Sequence, residues 1–155
     1  MEVKGGYVGN LLRVNLSNKT YHAEHLDEEL LNLFLGGRGV GAKIYFEEIA
    51  PEVRPLDEAN KLIFMSGPLT GTIVPGSTKF QCATKSPETG IYLCSNSGGD
   101  FGPHLKFAGY DGLIMEGRAS KPVYLSINDD KVKVEDATKL WGKTTGEVYK
   151  TLQSI

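Results

Sequence analysis

NKLIFMSGPLTGTIVPGSTKFQCATKSPETGIYLCSNS, residues 60–97, holds apolar runs of strand length at 61–66, 78–85 and 90–97, parted by glycine- and proline-bearing breaks. Runs of this length, rich in β-branched and aromatic residues and bounded by turn formers, predict strands. Two of the breaks share Pro-x-Thr-Gly, in SGPLTG (66–71) and KSPETG (85–90). Proline sets the entry of such a turn and glycine its exit. The echo reads either as a duplicated unit or as recurrent turn chemistry, and decides nothing about function.

Working outward from this stretch, strands dominate. Leu12, Val14 and Leu16 alternate with Arg13 and Asn15 before Ser17-Asn18-Lys19, so a hairpin is expected before residue 26. A short helix is predicted over about 28–35, with Asp27 as its cap, Glu28 and Glu29 at its positive end, and Leu26 stapled onto Leu31. Gly36-Gly37 stops it and Arg38 sits in the break. A second helix, with Val40, Ile44 and either Tyr45 or Phe46 inward, runs until Pro51. Further strands are expected at 111–118 and in a hairpin that turns at Asn128-Asp129-Asp130, and helical spacing returns only in the last residues, TTGEVYKTLQSI.

Length and composition exclude whole classes of function. The chain has 155 residues, 40% of them hydrophobic, which suits one domain with one substantial core. Its 17 Lys+Arg against 19 Asp+Glu are scattered, so no field is set up for a nucleic-acid backbone. No apolar run approaches a membrane span, and the start, MEVKGGYVGN, lacks the apolar core of a signal peptide. A cytoplasmic protein is expected. Cys82 and Cys94 cannot build a disulfide framework or complete a four-ligand zinc or iron–sulfur site.

The chemistry concentrates in CSNSGGDFGPHLKFAGYDGL, residues 94–113, where five glycines interrupt a run that still carries Phe101, Leu105, Phe107 and Tyr110. Ser95-Asn96-Ser97-Gly98-Gly99 follows a strand, and consecutive small residues expose backbone N–H groups that suit a phosphate or the edge of a heterocycle. Asn96 adds oxygens that could face a hard cation such as magnesium. The stretch is neither a G-x-x-x-x-G-K-[ST] loop nor a G-x-G-x-x-G fingerprint. A glycine-rich turn with no ligand is the alternative. His22, His25 and His104 are isolated and read as surface or turn residues, and Trp141 reads as packing.

VGNLLRVNLS (8–17), FLGGRGVGAKIY (34–45), NKLIFMSGPLTGT (60–72), TKSPETG (84–90), SNSGGDFGPHLKFAGYDGLIMEGRASKPVY (95–124) and LWGK (140–143), in this order, resemble the N-terminal domain of the tungsten-containing aldehyde ferredoxin oxidoreductase family. The resemblance runs nearly end to end. It implies an α+β fold of two mainly antiparallel β-sheets with a short helix pair, forming the base under a tungsten bis-pyranopterin cofactor; molybdenum is the alternative metal. It also implies a magnesium ion bridging the two cofactor phosphates and a 4Fe-4S cluster in the full-length protein only. Aldehydes would be oxidised to carboxylic acids, with electrons passing to ferredoxin. Residue by residue, Ser97, Gly98 and Gly99 would lie against pterin and phosphate, Asn96 would help to hold the magnesium, and Lys79 stands where the family has an arginine between pterin and cluster. A lysine keeps that charge and loses the planar fork.

The resemblance further implies that residues 1–155 form a pterin-binding domain that runs on in the family, with the cluster-binding C-terminal domains absent. This chain alone is expected to be inactive. It is either a piece of a longer oxidoreductase or a stand-alone binding or scaffold paralogue without redox chemistry. Faces built for burial should then be exposed, with Phe101, Leu105, Phe107 and either Ile91 or Tyr92, depending on which face of that strand points outward, as candidates, and a homo-oligomer is expected. A symmetric hairpin through SPETG would set Lys85 against Ile91 and Cys82 opposite Cys94, where both read as small buried hydrophobes.

Overall fold

A central sheet buried on both faces organises the chain, as seen in a computed structural model that describes residues 5–154. Residues 1–4, part of the stretch read above for a leader, lie outside the described residues. Strand β1 (Asn10–Asn15) turns back into β2 (Thr20–His25), as the alternation predicts. Helices α1 (Glu28–Phe34) and α2 (Gly37–Glu48) follow, with Asp27 Oδ1 accepting from the Glu29 N–H at 3.1 Å. Then come β3 (Leu62–Ser66), β4 (Phe80–Lys85), β5 (Tyr92–Ser97), α3 (Phe101–Phe107) and β6 (Gly112–Glu116). The hairpin β7 (Val123–Asn128) and β8 (Lys131–Asp136) precedes α4 (Thr145–Gln153). The fold is α+β.

The six strands of the large sheet lie in the order β2-β1-β6-β3-β4-β5, and β7-β8 forms the second sheet. Pairing is antiparallel except between β1 and β6, which run parallel. Leu11, Ile63, Met65, Ala83 and Ile114 face the helices and pack with Leu26, Leu31, Val40 and Ile44. Leu12, Val14 and Leu113 face the other way, onto Leu105, Tyr110 and Val132. Adjacent Leu11 and Leu12 are therefore both buried, because β1 is an interior strand covered on both sides. Each such side chain contributes roughly 1.5–3 kcal/mol on burial.

The structure departs from the sequence reading at several points and settles one alternative left open there. Helix α3 occupies a stretch that carries Gly102 and Pro103 and where the spacing leads to no expected helix. Pro103 sits in the first turn, where the helix needs no N–H donor. Gly102 is there for proximity: a Cβ would stand 3.2 Å from Thr78 O and 3.3 Å from the Phe80 Cβ. Arg38 lies inside the first turn of α2, because the break is made one residue earlier by Leu35 and Gly36, with φ of 58° and 85°. Inward from α2 comes Tyr45, edge-on to Tyr92 with centroids 4.8 Å apart, while Phe46 is exposed.

The β4–β5 register differs by one residue from the symmetric hairpin. Ser86 N donates to Ile91 O and Gly90 N to Ser86 O, each at 2.8 Å, so that Lys85 pairs with Tyr92 and Ala83 with Cys94. A slip of one residue moves every side chain to the other face. Cys82, opposite Ser95, therefore lies on the face away from Cys94. Of the expected exposed apolar residues, Phe101 and Phe107 are exposed, whereas Leu105 is buried in the second core; of the pair Ile91 and Tyr92, Ile91 is the exposed one and Tyr92 is half-buried in the first core. Trp141 is 76% exposed and does not pack.

Candidate functional site

The ends of β3 and β4 and the start of α2 meet around a cavity of about 420 Å³. Lys79 and Asn96, singled out in the sequence from separate stretches, both line it, with Arg38, Gln81 and the turn at Gly67–Thr70. Asn96 reaches it because β5 pairs with β4, which sets Asn96 beside Gln81 on the helix-facing side. Ser97, Gly98 and Gly99 continue from Asn96 along the exposed end of β5 but do not line the cavity itself. Gly99 has a φ of 91°, which a side chain resists; at Gly98 a Cβ would meet only Thr78 Oγ1, at 3.7 Å. That position is open for a ligand's approach.

The rim is fixed by side chains that the sequence did not single out. Buried Thr70 accepts from Gly67 N at 3.1 Å and donates from Oγ1 to Lys79 O at 2.9 Å, which ties the cavity's turn to the start of β4. Lys106, buried on α3, donates from Nζ to Gly6 O at 2.5 Å, Gly67 O at 2.7 Å and Pro68 O at 3.3 Å. Burial pushes the Lys106 ammonium down from its ordinary range, against the pull of Asp111, whose Oδ1 is 3.7 Å away. Asp111 in turn accepts from Val8 N and Gly9 N. One lysine on a short helix thus binds the amino-terminal strap to the turn that lines the cavity.

Beside the cavity, the Cys94 thiol donates to Gln81 Oε1 at 2.6 Å, and the buried Tyr92 hydroxyl has no hydrogen-bond partner. Burial, then the nearby Cys94 thiol, pushes the Tyr92 phenol up to about 12. His22, His25 and His104 are on the surface and none lines the cavity. Among the described residues no group of three or more His, Cys, Asp or Glu side chains could hold a metal ion. A second cavity, about 460 Å³ and walled by Phe64, Phe80, Phe101, Leu113 and Leu125, lies between the large sheet and the β7–β8 hairpin and carries no charged group.

Residues 11–155 match the family described as aldehyde ferredoxin oxidoreductase, N-terminal domain. The chain belongs to that oxidoreductase family. It is 47% identical over 148 residues to a tungsten-containing aldehyde ferredoxin oxidoreductase of Pyrococcus horikoshii and 48% identical over 148 residues to that of Pyrococcus abyssi. Each alignment covers 96% of this chain and 24% of the relative, so the chain spans about a quarter of the length of the curated relatives it matches. Among solved structures, the BamBC active-site complex of benzoyl coenzyme A reductase, in complex with 1,5-dienoyl-CoA, superposes with a TM-score of 0.95 at 37% identity, over 98% of this chain and 23% of that one.

Proposed function

We propose that this chain is the pterin-binding base of a tungsten-dependent oxidoreductase that oxidises aldehydes to carboxylic acids, with ferredoxin as acceptor, and that it is inactive without the remainder of that enzyme. The observation that carries this reading is the convergence of Lys79 and Asn96 on one cavity whose rim continues into Ser97-Gly98-Gly99. The residues present fit the group. Lys79 supplies a cation, Asn96 an oxygen, and the open Gly98-Gly99 segment a backbone that a flat ring or a phosphate can approach closely. A single Asn oxygen is a small share of magnesium's six ligands, so the ion would be held mainly by phosphates and water, as magnesium commonly is.

When bound, the metal–pterin would supply the two-electron redox chemistry. This chain's part is to position it and to hold its anionic side. Cys82 and Cys94 lie on opposite faces of the sheet and cannot share a 4Fe-4S cluster, whose ligands belong to the full-length protein. The relatives' names include both an aldehyde ferredoxin oxidoreductase and a benzoyl coenzyme A reductase, which supports a shared base whose substrate is set by the rest of the enzyme. No helix among the described residues is long and apolar enough to cross a membrane. A cytoplasmic location is part of the proposal and does not rest on that absence. Phe101, Phe107 and Ile91, at 41%, 67% and 66% exposure, would be covered by the C-terminal domains or, in the isolated chain, by a second copy.

The test is pterin content in the full-length enzyme. Asn96→Ala removes an oxygen and Asn96→Asp adds negative charge beside two phosphates; pterin is expected to fall in at least one, more in Asp than in Ala if only the backbone carbonyl is used. Full pterin content in both variants overturns the reading.

A further inference from the structure

The corner between α1 and α2 reads Gly36-Gly37-Arg38-Gly39, and its glycines are structural necessities. Gly36 has a φ of 85° and its Cβ would stand 3.0 Å from Ser66 O; Gly37 has a φ of 49°; at Gly39 a Cβ would fall 2.1 Å from Phe34 O. The chain is pressed here against the end of β3 and the last turn of α1, and one residue of the four carries a side chain. That side chain lines the cavity. Arg38 is exposed and, among the described residues, has no carboxylate partner and no side-chain hydrogen bond. Lys79, on the same cavity, is likewise unpaired, and no Asp or Glu lines the wall.

Two unpaired cations facing one acid-free cavity, one of them on a corner that tolerates no substituent at its neighbours, call for an anion. A guanidinium also offers what the ammonium does not, a planar fork that grips two oxygens of one phosphate. We infer that Arg38 is a phosphate-binding residue of this cavity, gripping a cofactor phosphate from the α2 side while Lys79 reaches it from the β4 side. The assignment rests on the pterin reading above and adds to it a residue from a different part of the chain. Arg38 binds and orients; it takes no part in the redox step.

The test uses the full-length enzyme with Arg38→Gln, Arg38→Lys and, in parallel, Asn96→Asp, read out as pterin and tungsten per protein after gel filtration. Loss of a charge-assisted contact of this kind lowers affinity about tenfold, so Arg38→Gln is expected to lose most of its pterin, with Arg38→Lys in between because it keeps the charge without the fork. The thermal midpoint of the cofactor-free protein should be nearly unchanged, since among the described residues the Arg38 side chain makes no hydrogen bond or ion pair, and this separates lost binding from lost folding. Full pterin in Arg38→Gln alongside loss in Asn96→Asp overturns the Arg38 assignment and leaves the pterin reading standing. Full pterin in both overturns both.

Discussion

Lys106 Nζ stands 3.7 Å from Asp111 Oδ1, with 6% and 2% of the two side chains exposed, yet the lysine's shorter contacts are to the carbonyls of Gly6, Gly67 and Pro68. The pair is therefore a staple between three segments more than an ion pair. Lys106→Met would strand Asp111 as a buried charge held by two backbone N–H groups and would leave three carbonyls short of a donor. Breaking a buried pair from one side costs about 3–5 kcal/mol. Denaturant unfolding should show a loss of this size; a loss below about 1 kcal/mol would mean that water replaces the ammonium.

Glycines of opposite sign sit at Gly39 and Gly146. Gly39→Ala puts a methyl 2.1 Å from Phe34 O and should cost about 1–3 kcal/mol through overpacking. Gly146 lies within α4 with nothing inside 4 Å of a Cβ, so Gly146→Ala should stabilise by about 0.5–1 kcal/mol. Thermal midpoints moving in the same direction would contradict the packing described here.

Acid should weaken the far end of the sheet. Burial pushes the Glu48 carboxyl up, but hydrogen bonds from Arg13 and Lys61 outweigh it and hold the group below its ordinary range; Lys61 likewise lowers Glu116. A carboxylate depressed in the folded state contributes stability above its unfolded value, around pH 4, that is lost as pH falls through the folded one. The thermal midpoint should drop between about pH 5 and pH 3. Glu48→Gln should be less stable at pH 7 and show a shallower drop; an unchanged slope would remove Glu48 from the cause.

Neither cysteine is in a disulfide, and Cys82 should alkylate slowly near neutral pH for a thiol, because burial pushes it up. Mild oxidation should give no Cys82–Cys94 bond, since the two strands present these residues on opposite faces. A disulfide-linked monomer on a non-reducing gel would show that the register is not the one described.

Much of the fold was legible because its signals are local. The strands around residues 62–97, the β1–β2 hairpin, the Asp27 cap and the inward Val40 and Ile44 all follow from periodicity and turn chemistry within a few residues. Asn96 and Lys79 were legible as separate points through the resemblance. Arg38 was visible too, as the one side chain of a glycine corner, but nothing local says that this corner closes the cavity on which Lys79 and Asn96 meet.

By itself, the sequence determined where the chain is extended, where it must turn and which residues are small enough to let something approach. Only the tertiary structure decided the β4–β5 register, the helix at 101–107 and the Lys106 staple. The reason is the same in each case. A four-residue loop against a symmetric turn changes the register by one, and local propensity barely distinguishes them; what selects one is the face β5 then presents, with Tyr92 edge-on to Tyr45 on the helix side and the Cys94 thiol donating to Gln81 Oε1. Helix α3 forms despite Gly102 and Pro103 because Thr70, Thr78 and Phe80 leave room there only for a glycine, and because Leu105 and Lys106 gain burial and partners on the neighbouring layers. Contacts between residues distant in sequence outweigh local propensity there, and they exist only once the layers have packed.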